Sequence, residues 1–221
     1  LFRSNESWNS RRRKDKGYDL ESTVEDQVYQ GVSAEKWATT RAVKDTKGII
    51  LVDSEGNPLI ALYHSSGGGY TDSIENLWDE NPSPHIKPRP DYDDKSPHFK
   101  WTRTFKISDL NNSLSSLNIG EIKNIVPLSA SVSKRVTWLD VIGSQGKSQI
   151  RGEQLRKLLK LPSSKFNLEI SNGIVHFAGR GYGHGLGLSQ WGSKSLAENG
   201  FNFKQILAHY YIGAKLVKIE D

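Results

Sequence analysis

Residues 179 to 192 read Gly179-Arg180-Gly181-Tyr182-Gly183-His184-Gly185-Leu186-Gly187-Leu188-Ser189-Gln190-Trp191-Gly192. Glycine adopts positive φ readily but costs roughly 0.5–1 kcal/mol relative to alanine within regular structure. Repeated glycine therefore favours a place where the backbone runs close to a ligand or to another segment. If this stretch is extended, one face is bare and the other carries Arg180, Tyr182 and His184. We therefore expect a cleft with a backbone floor and a polar rim.

Two helices are predicted after the glycine string. Residues 192–200 form the first, which ends at the turn signal Asn199-Gly200. Residues 201–213 form the second, with Ile206, Leu207, Tyr210 and Tyr211 at helical spacing. Gly-x-Gly-x-x-Gly is absent and no Gly-Lys-Ser/Thr follows, which excludes a dinucleotide fingerprint and a phosphate-binding loop.

Three ordered segments of the chain resemble the signature of the SpoIID/LytB family, which comprises stage II sporulation protein D and the amidase enhancer. The last segment contains Gly183-His184-Gly185, Leu188-Ser189-Gln190 and, further on, residues 206–213 (Ile-Leu-Ala-His-Tyr-Tyr-Ile-Gly). The first is residues 26–31. The middle one is residues 61–68 (Ala-Leu-Tyr-His-Ser-Ser-Gly-Gly), followed by Thr71 and by Glu75-Asn76-Leu77-Trp78.

The resemblance implies a function in the bacterial cell envelope. Members of the family include lytic transglycosylases that cleave peptide-free glycan strands, so the expected function is recognition and remodelling of peptidoglycan glycan. The alternative is a non-catalytic glycan-binding module or an enhancer of an N-acetylmuramoyl-L-alanine amidase. The expected partners are therefore glycan strands and a cell-wall amidase, and the expected location is extracytoplasmic.

The question of catalysis stays open at this point. The family's catalytic glutamate lies in an N-terminal segment beginning Glu-Tyr, and we expect the chain to lack that segment. A lytic transglycosylase needs one carboxyl group that acts as acid and base, because the C6 hydroxyl of the sugar is the attacking group. Glu75 is the first candidate among the acids near the matched segments, and the alternative is a solvated surface carboxylate. The other acids are Glu25, Asp26, Asp72 and Asp79.

The resemblance also implies a set of glycan-binding residues. Backbone N–H groups and hydroxyls of the turn after Tyr63 suit sugar hydroxyls, a tyrosine offers an apolar face with a polar tip, and glutamine suits an acetamido group. The alternatives are structural: hydrogen-bonded histidines, turn serines, and helix capping by Ser189 and Gln190. The expected groove residues are Gln27, Tyr63, His64, Ser65, Ser66, Gly67, Gly68, His184 and Gln190.

Composition excludes several other functions. The 221 residues contain no cysteine, which excludes disulfides and Cys-ligated zinc, and no histidine spacing indicates a metal site, so no cofactor or metal is expected. The net charge of +5 suits an anionic polymer. Residues 11–14 are the only dense basic run, so nucleic-acid binding is not expected. No apolar run approaches the roughly 20 residues of a membrane span.

The pattern of the whole chain predicts a mixed, strand-rich α+β fold with C-terminal helices. We expect one domain over residues 1–221, with a flexible remnant at 1–20 and an inserted α/β subdomain at 99–175. A hairpin is predicted between residues 48–52 and 59–64, and a long proline-rich surface loop at 79–98. Further predicted elements are a helix at 35–46, strands at 101–107, 136–142 and 166–170, and a helix from 150 to about 161.

Overall fold

A computed structural model describes residues 21–23, 28–78 and 80–219 of the chain. Within that part, short helices are mixed with strands in several small sheets, so the predicted α+β class is confirmed. The chain divides into two compact units, one made of residues 1–61 with 213–221 and the other of residues 62–212. The predicted remnant at residues 1–20 lies outside the described residues.

The first unit contains one α-helix and one two-stranded sheet among its described residues. Helix α1, Trp37–Asp45, begins and ends within two residues of the predicted helix and follows a 3-10 turn at Val32–Ala34. Strand β1, Ile49–Val52, is mostly buried and pairs antiparallel with the last strand of the chain, Lys215–Lys218.

The predicted hairpin between residues 48–52 and 59–64 is wrong. The turn between them does form, because the Asp53 carboxylate accepts the N–H groups of Glu55 and Asn57 at 2.8 and 2.9 Å. The returning segment then meets β1 only at a bridge between Val52 and Pro58. Proline has no N–H to donate to a ladder, and β1 takes its regular partner from the end of the chain instead.

The second unit contains two three-stranded antiparallel sheets. The first has the order β3-β8-β7, with β3 at Lys100–Lys106, β7 at Phe166–Ser171 and β8 at Ile174–Arg180. The second has the order β4-β5-β6, with β4 at Ile122–Ala130, β5 at Val136–Gly143 and β6 at Lys147–Arg151. The three predicted strands in this region are confirmed. Strands β4, β6 and β8 were not predicted; β4 contains Pro127, which an edge strand tolerates.

Apolar side chains of both sheets and of two helices form one buried core. The helices are α3, Ile107–Ser113, and α4, Gly152–Leu159. Helix α4 ends within two residues of its predicted end but begins later than predicted, because residues 150 and 151 belong to β6. The fully buried members include Leu110, Leu139, Val141, Leu155 and Val175. Truncating such a leucine to alanine lowers the free energy of unfolding by about 2–5 kcal/mol. This core therefore contributes strongly to the stability of the second unit. That residues 99–175 are an insertion stays a prediction.

A small parallel sheet brings the matched segments of the second unit together. Strand β2, Tyr63–His64, pairs with β9, Leu188–Ser189. The short helix α2, Ile74–Leu77, follows β2 in the sequence. After β9 come α5, Gln190–Glu198, and α6, Phe203–Tyr210, which confirm the two predicted C-terminal helices; the last strand, β10, is Lys215–Lys218.

The glycine string is not the extended segment that its alternation predicts. Strand β8 ends at Arg180, and Gly181, Gly183, Gly185 and Gly187 then have φ values of 81°, 107°, 85° and 65°. Each positive φ turns the backbone, so the intervening side chains do not form one row. Glycine is required sterically as well: a Cβ on Gly187 would lie 2.1 Å from the carbonyl oxygen of Leu62.

Candidate functional site

Two aspartates of the proline-rich segment accept hydrogen bonds from the backbone of the turn after β2. Asp91 accepts the N–H of Gly67 at 3.0 Å, and Asp93 accepts those of Gly68 and Gly69, both at 2.8 Å. The Ser66 hydroxyl, which is fully buried, also donates to Asp93. These amides and this hydroxyl are therefore occupied within the protein. They shape the turn and do not face a ligand.

Asp91 connects this turn to the two C-terminal helices. Its Oδ1 accepts the hydroxyl of the buried Tyr210 at 2.8 Å. Burial raises the pKa of Asp91, and the nearby Asp93 carboxylate raises it further. Burial and the Asp91 charge in turn raise the pKa of Tyr210. A Cβ on Gly192 would lie only 1.8 Å from Asp91 Oδ1, so α5 must present a glycine here.

The fully buried Arg135 holds the turn from the other side. Its Nη2 donates to the carbonyl oxygen of Gly67 at 3.0 Å, while Nε and Nη1 have no hydrogen-bond partner among the described residues. Burial lowers the pKa of Arg135 to about 10, although the Asp72 and Glu153 carboxylates act in the opposite direction. The guanidinium lies against Gly185, where a Cβ would come within 2.3 Å of its Cζ.

His64 and His184 fasten the glycine string to β2. His64 is buried, and its Nδ1 lies 3.1 Å from the carbonyl oxygen of Leu186, so Nδ1 carries the proton. Burial, followed by the charges of His184 and Arg135, lowers the pKa of His64 well below its usual value. His184 Nε2 lies 2.9 Å from the carbonyl oxygen of Tyr63, and its Nδ1 accepts the N–H of Leu186 at 3.0 Å. Both histidines thus have structural hydrogen bonds.

The accessible part of the site is an aromatic cluster beside His184. The Trp78 ring lies 5.5 Å from the His184 ring, centroid to centroid, at an interplanar angle of 56°. Glu75 lies one helical turn before Trp78 and forms an ion pair with Lys87, with Oε1 3.7 Å from Nζ. Its Oε2 and Trp78 Nε1 are buried and have no hydrogen-bond partner within the described part of the chain. We call Tyr63, Glu75, Trp78 and His184 the Trp78 cluster.

The predicted groove residues thus fall into three groups. Tyr63, Ser65 and His184 are half-buried, and Gln190 is exposed at the first position of α5. His64, Ser66, Gly67 and Gly68 are buried and bonded within the protein. Gln27 lies outside the described residues, as do Glu25, Asp26 and Asp79. The capping alternative is confirmed for Ser189, which accepts the Gly192 N–H at 3.2 Å.

Sequence reasoning missed Asp91, Asp93 and Arg135. The two aspartates lie in the segment that its prolines predicted to be a surface loop, and both are buried. No periodicity or motif marks them. Arg135 is preceded by a serine-rich turn and resembles any surface cation in sequence. Asp72, one of the acids considered above, is fully buried and accepts the hydroxyls of Ser131 and Ser133, which makes it structural.

Two other features are absent from the described residues. No group of three or more His, Asp or Glu side chains there is placed to hold a metal ion. Over the same part of the chain, no helix has the length and apolar character that crossing a membrane requires.

Comparison with known families gives two matches. Residues 74–187 match a family described as a domain of unknown function, DUF8618. Residues 2–52 match the family described as stage II sporulation protein.

Curated relatives match over most of the chain. Stage II sporulation protein D of Bacillus amyloliquefaciens is 30% identical over 96% of this chain and 64% of its own length. The protein of the same name in Bacillus subtilis is 29% identical over 91% of this chain and 60% of its own. The amidase enhancer of Bacillus subtilis is 27% identical over 90% of this chain and 35% of its own. The chain therefore spans less than two thirds of the length of these relatives.

Proposed function

Because this chain belongs to the SpoIID/LytB family, and over residues 74–187 to the family DUF8618, we propose that it binds peptidoglycan glycan strands in the bacterial cell envelope. The relatives, named for sporulation and for amidase enhancement, support a role related to the cell wall. The finer proposal is that the unit of residues 62–212 recognises peptide-free strands during their remodelling, outside the cytoplasm.

The Trp78 cluster carries this proposal. Sugar rings bind to proteins by placing their C–H faces on aromatic rings while polar groups at the edge receive the hydroxyls. Trp78 and Tyr63 are half-buried aromatics, and His184, whose ring lies beside that of Trp78, is fixed by two backbone hydrogen bonds, one of them to the carbonyl oxygen of Tyr63. A surface that is fixed before binding loses less conformational entropy when a ligand binds. Ser65 and Gln190 would add polar contacts at its edge.

The buried members of the predicted groove have a different role in this proposal. His64, Ser66, Gly67 and Gly68 form the frame that positions Tyr63 and His184. Gln27, which lies outside the described residues, stays a sequence-based proposal as an acetamido ligand.

Two activities are compatible with strand binding. In the first, Glu75 supplies the carboxyl group of a lytic transglycosylase; it is the carboxylate of the Trp78 cluster, although Lys87 holds one of its oxygens. In the second, the chain binds glycan and activates a cell-wall amidase, which the amidase-enhancer relative favours. We propose strand binding as the function common to both.

The first experiment measures binding of the chain to peptide-free glycan strands and examines the products by mass spectrometry. We expect Trp78→Ala and Tyr63→Ala each to weaken binding by at least tenfold. Trp138→Ala is the matched control, because Trp138 is a 36% exposed tryptophan of β5 outside the cluster. Unchanged affinity of both cluster variants, with unchanged melting curves, would refute the proposed site.

The same incubation separates the two activities. Fragments that end in 1,6-anhydro-muramic acid, and that are lost in Glu75→Gln, would show that the chain is a lytic transglycosylase that uses Glu75. Binding without cleavage, together with faster hydrolysis by an added amidase, would show that the chain binds glycan and activates the amidase.

A further inference from the structure

A concave surface of the same unit has a lining that includes no member of the Trp78 cluster. It is a cleft of about 950 Å³ at one end of the β3-β8-β7 sheet, where β3 and β7 begin and β8 ends. Its lining contains five cationic side chains and no aspartate or glutamate; the cations are Lys100, Arg103, Lys134, Lys165 and Arg180. We call it the basic cleft. A lining of one charge sign concentrates field of that sign within a concave surface and attracts the opposite charge.

Strand register brings two of these cations together. Lys100 on β3 is directly opposite Arg180 on β8, one row from the small, polar row formed by Thr102, Ala178 and Asn167. Like charges directly opposite each other in an antiparallel pair destabilise the sheet. None of the five cations forms an ion pair with a carboxylate within the described residues. A bound anion would remove this repulsion.

Lys165 shows the same imbalance at the inner end of the basic cleft. Its Nζ donates to the carbonyl oxygen of Gly68 at 2.8 Å, so the lysine is attached to the turn after β2. Burial lowers the pKa of Lys165 to about 8, and the positive charges of Arg135 and Arg180 act in the same direction, while the carboxylates of Asp93 and Asp72 oppose them only in part. The protein thus holds several positive charges close together, which an anionic ligand would compensate.

Aromatic rings at the rim add a second kind of contact. Tyr182 is 47% exposed, and its ring lies 4.9 Å from the ring of His98. The Arg180 guanidinium lies over the Phe99 ring at 5.6 Å. Exposed aromatic faces beside cations suit a ligand that combines sugar rings with anionic groups, rather than a bare inorganic ion.

We propose that the basic cleft binds the free carboxylates of an acidic glycan, namely the lactyl carboxylates of peptide-free muramic acid. This inference rests on the proposed glycan function. When an amidase hydrolyses the lactyl–alanine amide, water adds across the C–N bond, the peptide leaves with the amine, and each muramic acid keeps a carboxylate. The cleft would therefore distinguish stripped strands, which carry one negative charge per disaccharide there, from strands whose carboxyl groups are still in amide linkage.

The test compares two forms of one glycan oligosaccharide by calorimetry: the native peptide-free form, and the same form with its carboxyl groups converted to methylamides. We expect the native form to bind at least tenfold more tightly at low salt, and to lose that advantage at 0.5 M NaCl because exposed charge pairs are screened. Lys100→Gln and Arg180→Gln should each weaken only native binding, by about three- to tenfold. Lys106→Gln is the matched control, an exposed lysine at the other end of β3.

The outcomes separate this inference from the proposed function. If both glycan forms bind equally well and Trp78→Ala weakens the binding of both, the proposed binding of glycan strands is supported. The inference that the basic cleft binds their carboxylates is then overturned. If neither form binds, both ideas fail. Tighter binding of poly(glycerol phosphate), or of a single-stranded oligonucleotide, than of native glycan would also overturn the inference, since the cleft would then serve a phosphate polymer.

Discussion

The hydroxyl of Tyr210 donates a 2.8 Å hydrogen bond to Asp91 across 119 residues of sequence. Both side chains are buried, and the other carboxylate oxygen of Asp91 accepts the Gly67 N–H. This bond joins the last helix of the unit, the proline-rich segment and the turn after β2. The segments that carry the family resemblance are therefore connected by a residue that the resemblance does not include.

Replacing Tyr210 by phenylalanine should test how much this connection stabilises the fold. The variant leaves a buried carboxylate oxygen without its hydroxyl donor, which costs about 1–3 kcal/mol. Urea unfolding of Tyr210→Phe should show that loss of free energy of unfolding with an unchanged slope. Tyr92→Phe is the matched control, because Tyr92 is 47% exposed, and it should change stability by less than about 0.5 kcal/mol. Equal stability of the two variants would contradict a structural role for the bond.

Gly192→Ala should be strongly destabilising for a different reason. The added Cβ would lie 1.8 Å from Asp91 Oδ1 and 2.1 Å from the Tyr210 hydroxyl. Both atoms belong to one buried hydrogen bond, so overpacking and loss of the bond combine, and we expect a loss of at least about 3 kcal/mol.

Gly200→Ala separates this collision from the general cost of replacing glycine. Gly200 has a φ of 88° and no atom near the position of a Cβ, so its substitution should cost only about 1 kcal/mol of backbone strain. We therefore expect thermal unfolding, followed by circular dichroism, to give Gly192→Ala a clearly lower melting temperature than Gly200→Ala. The reverse order would mean that Asp91 and Tyr210 move apart easily.

These sites show where sequence reasoning succeeded and where it could not. Helix α5 and helix α6 were predicted because capping residues and apolar spacing are local signals. The roles of Asp91 and Asp93 depend on amides 24 or more positions away, and no local pattern encodes that distance. The glycine string was misread because alternation of glycine fits both an extended strand and a series of turns, and only tertiary contact with Arg135 and Leu62 decides between them.

Acid should destabilise the protein through His64. The pKa of this buried histidine lies well below its usual value of 6.5, so the unfolded chain binds a proton that the folded one does not. Stability is then fully present above about pH 6.5, and it falls as the pH drops from there towards the folded-state pKa, with a limiting slope of about 1.4 kcal/mol per pH unit. Burial opposes protonation of His64 most strongly, and the positive charge of Arg135 acts in the same direction.

The measurement is the free energy of unfolding between pH 5 and 7.5 for the parent chain, His64→Gln and His176→Gln. His64→Gln has no titrating ring, so it should lose much of the pH dependence in this window even though its overall stability is lower. His176, exposed on β8, is the matched control and should leave the slope unchanged. Parallel pH profiles of the parent chain and His64→Gln would show that the buried ring is not the group responsible for the pH dependence. The carboxylates of Asp91 and Asp93 would then be the next groups to test.

Lys165 should act in the opposite part of the pH range. Its folded-state pKa of about 8 lies below the ordinary value of 10.5, so the unfolded chain again holds more protons between these two values. Stability should therefore rise as the pH increases from about 8 to 10.5, because the folded protein loses a crowded positive charge. Lys165→Met should remove this rise, while Lys106→Met should keep it. If native peptide-free glycan binds in the basic cleft, its addition should also reduce the rise, since an anion next to Lys165 returns the pKa of the lysine towards its ordinary value.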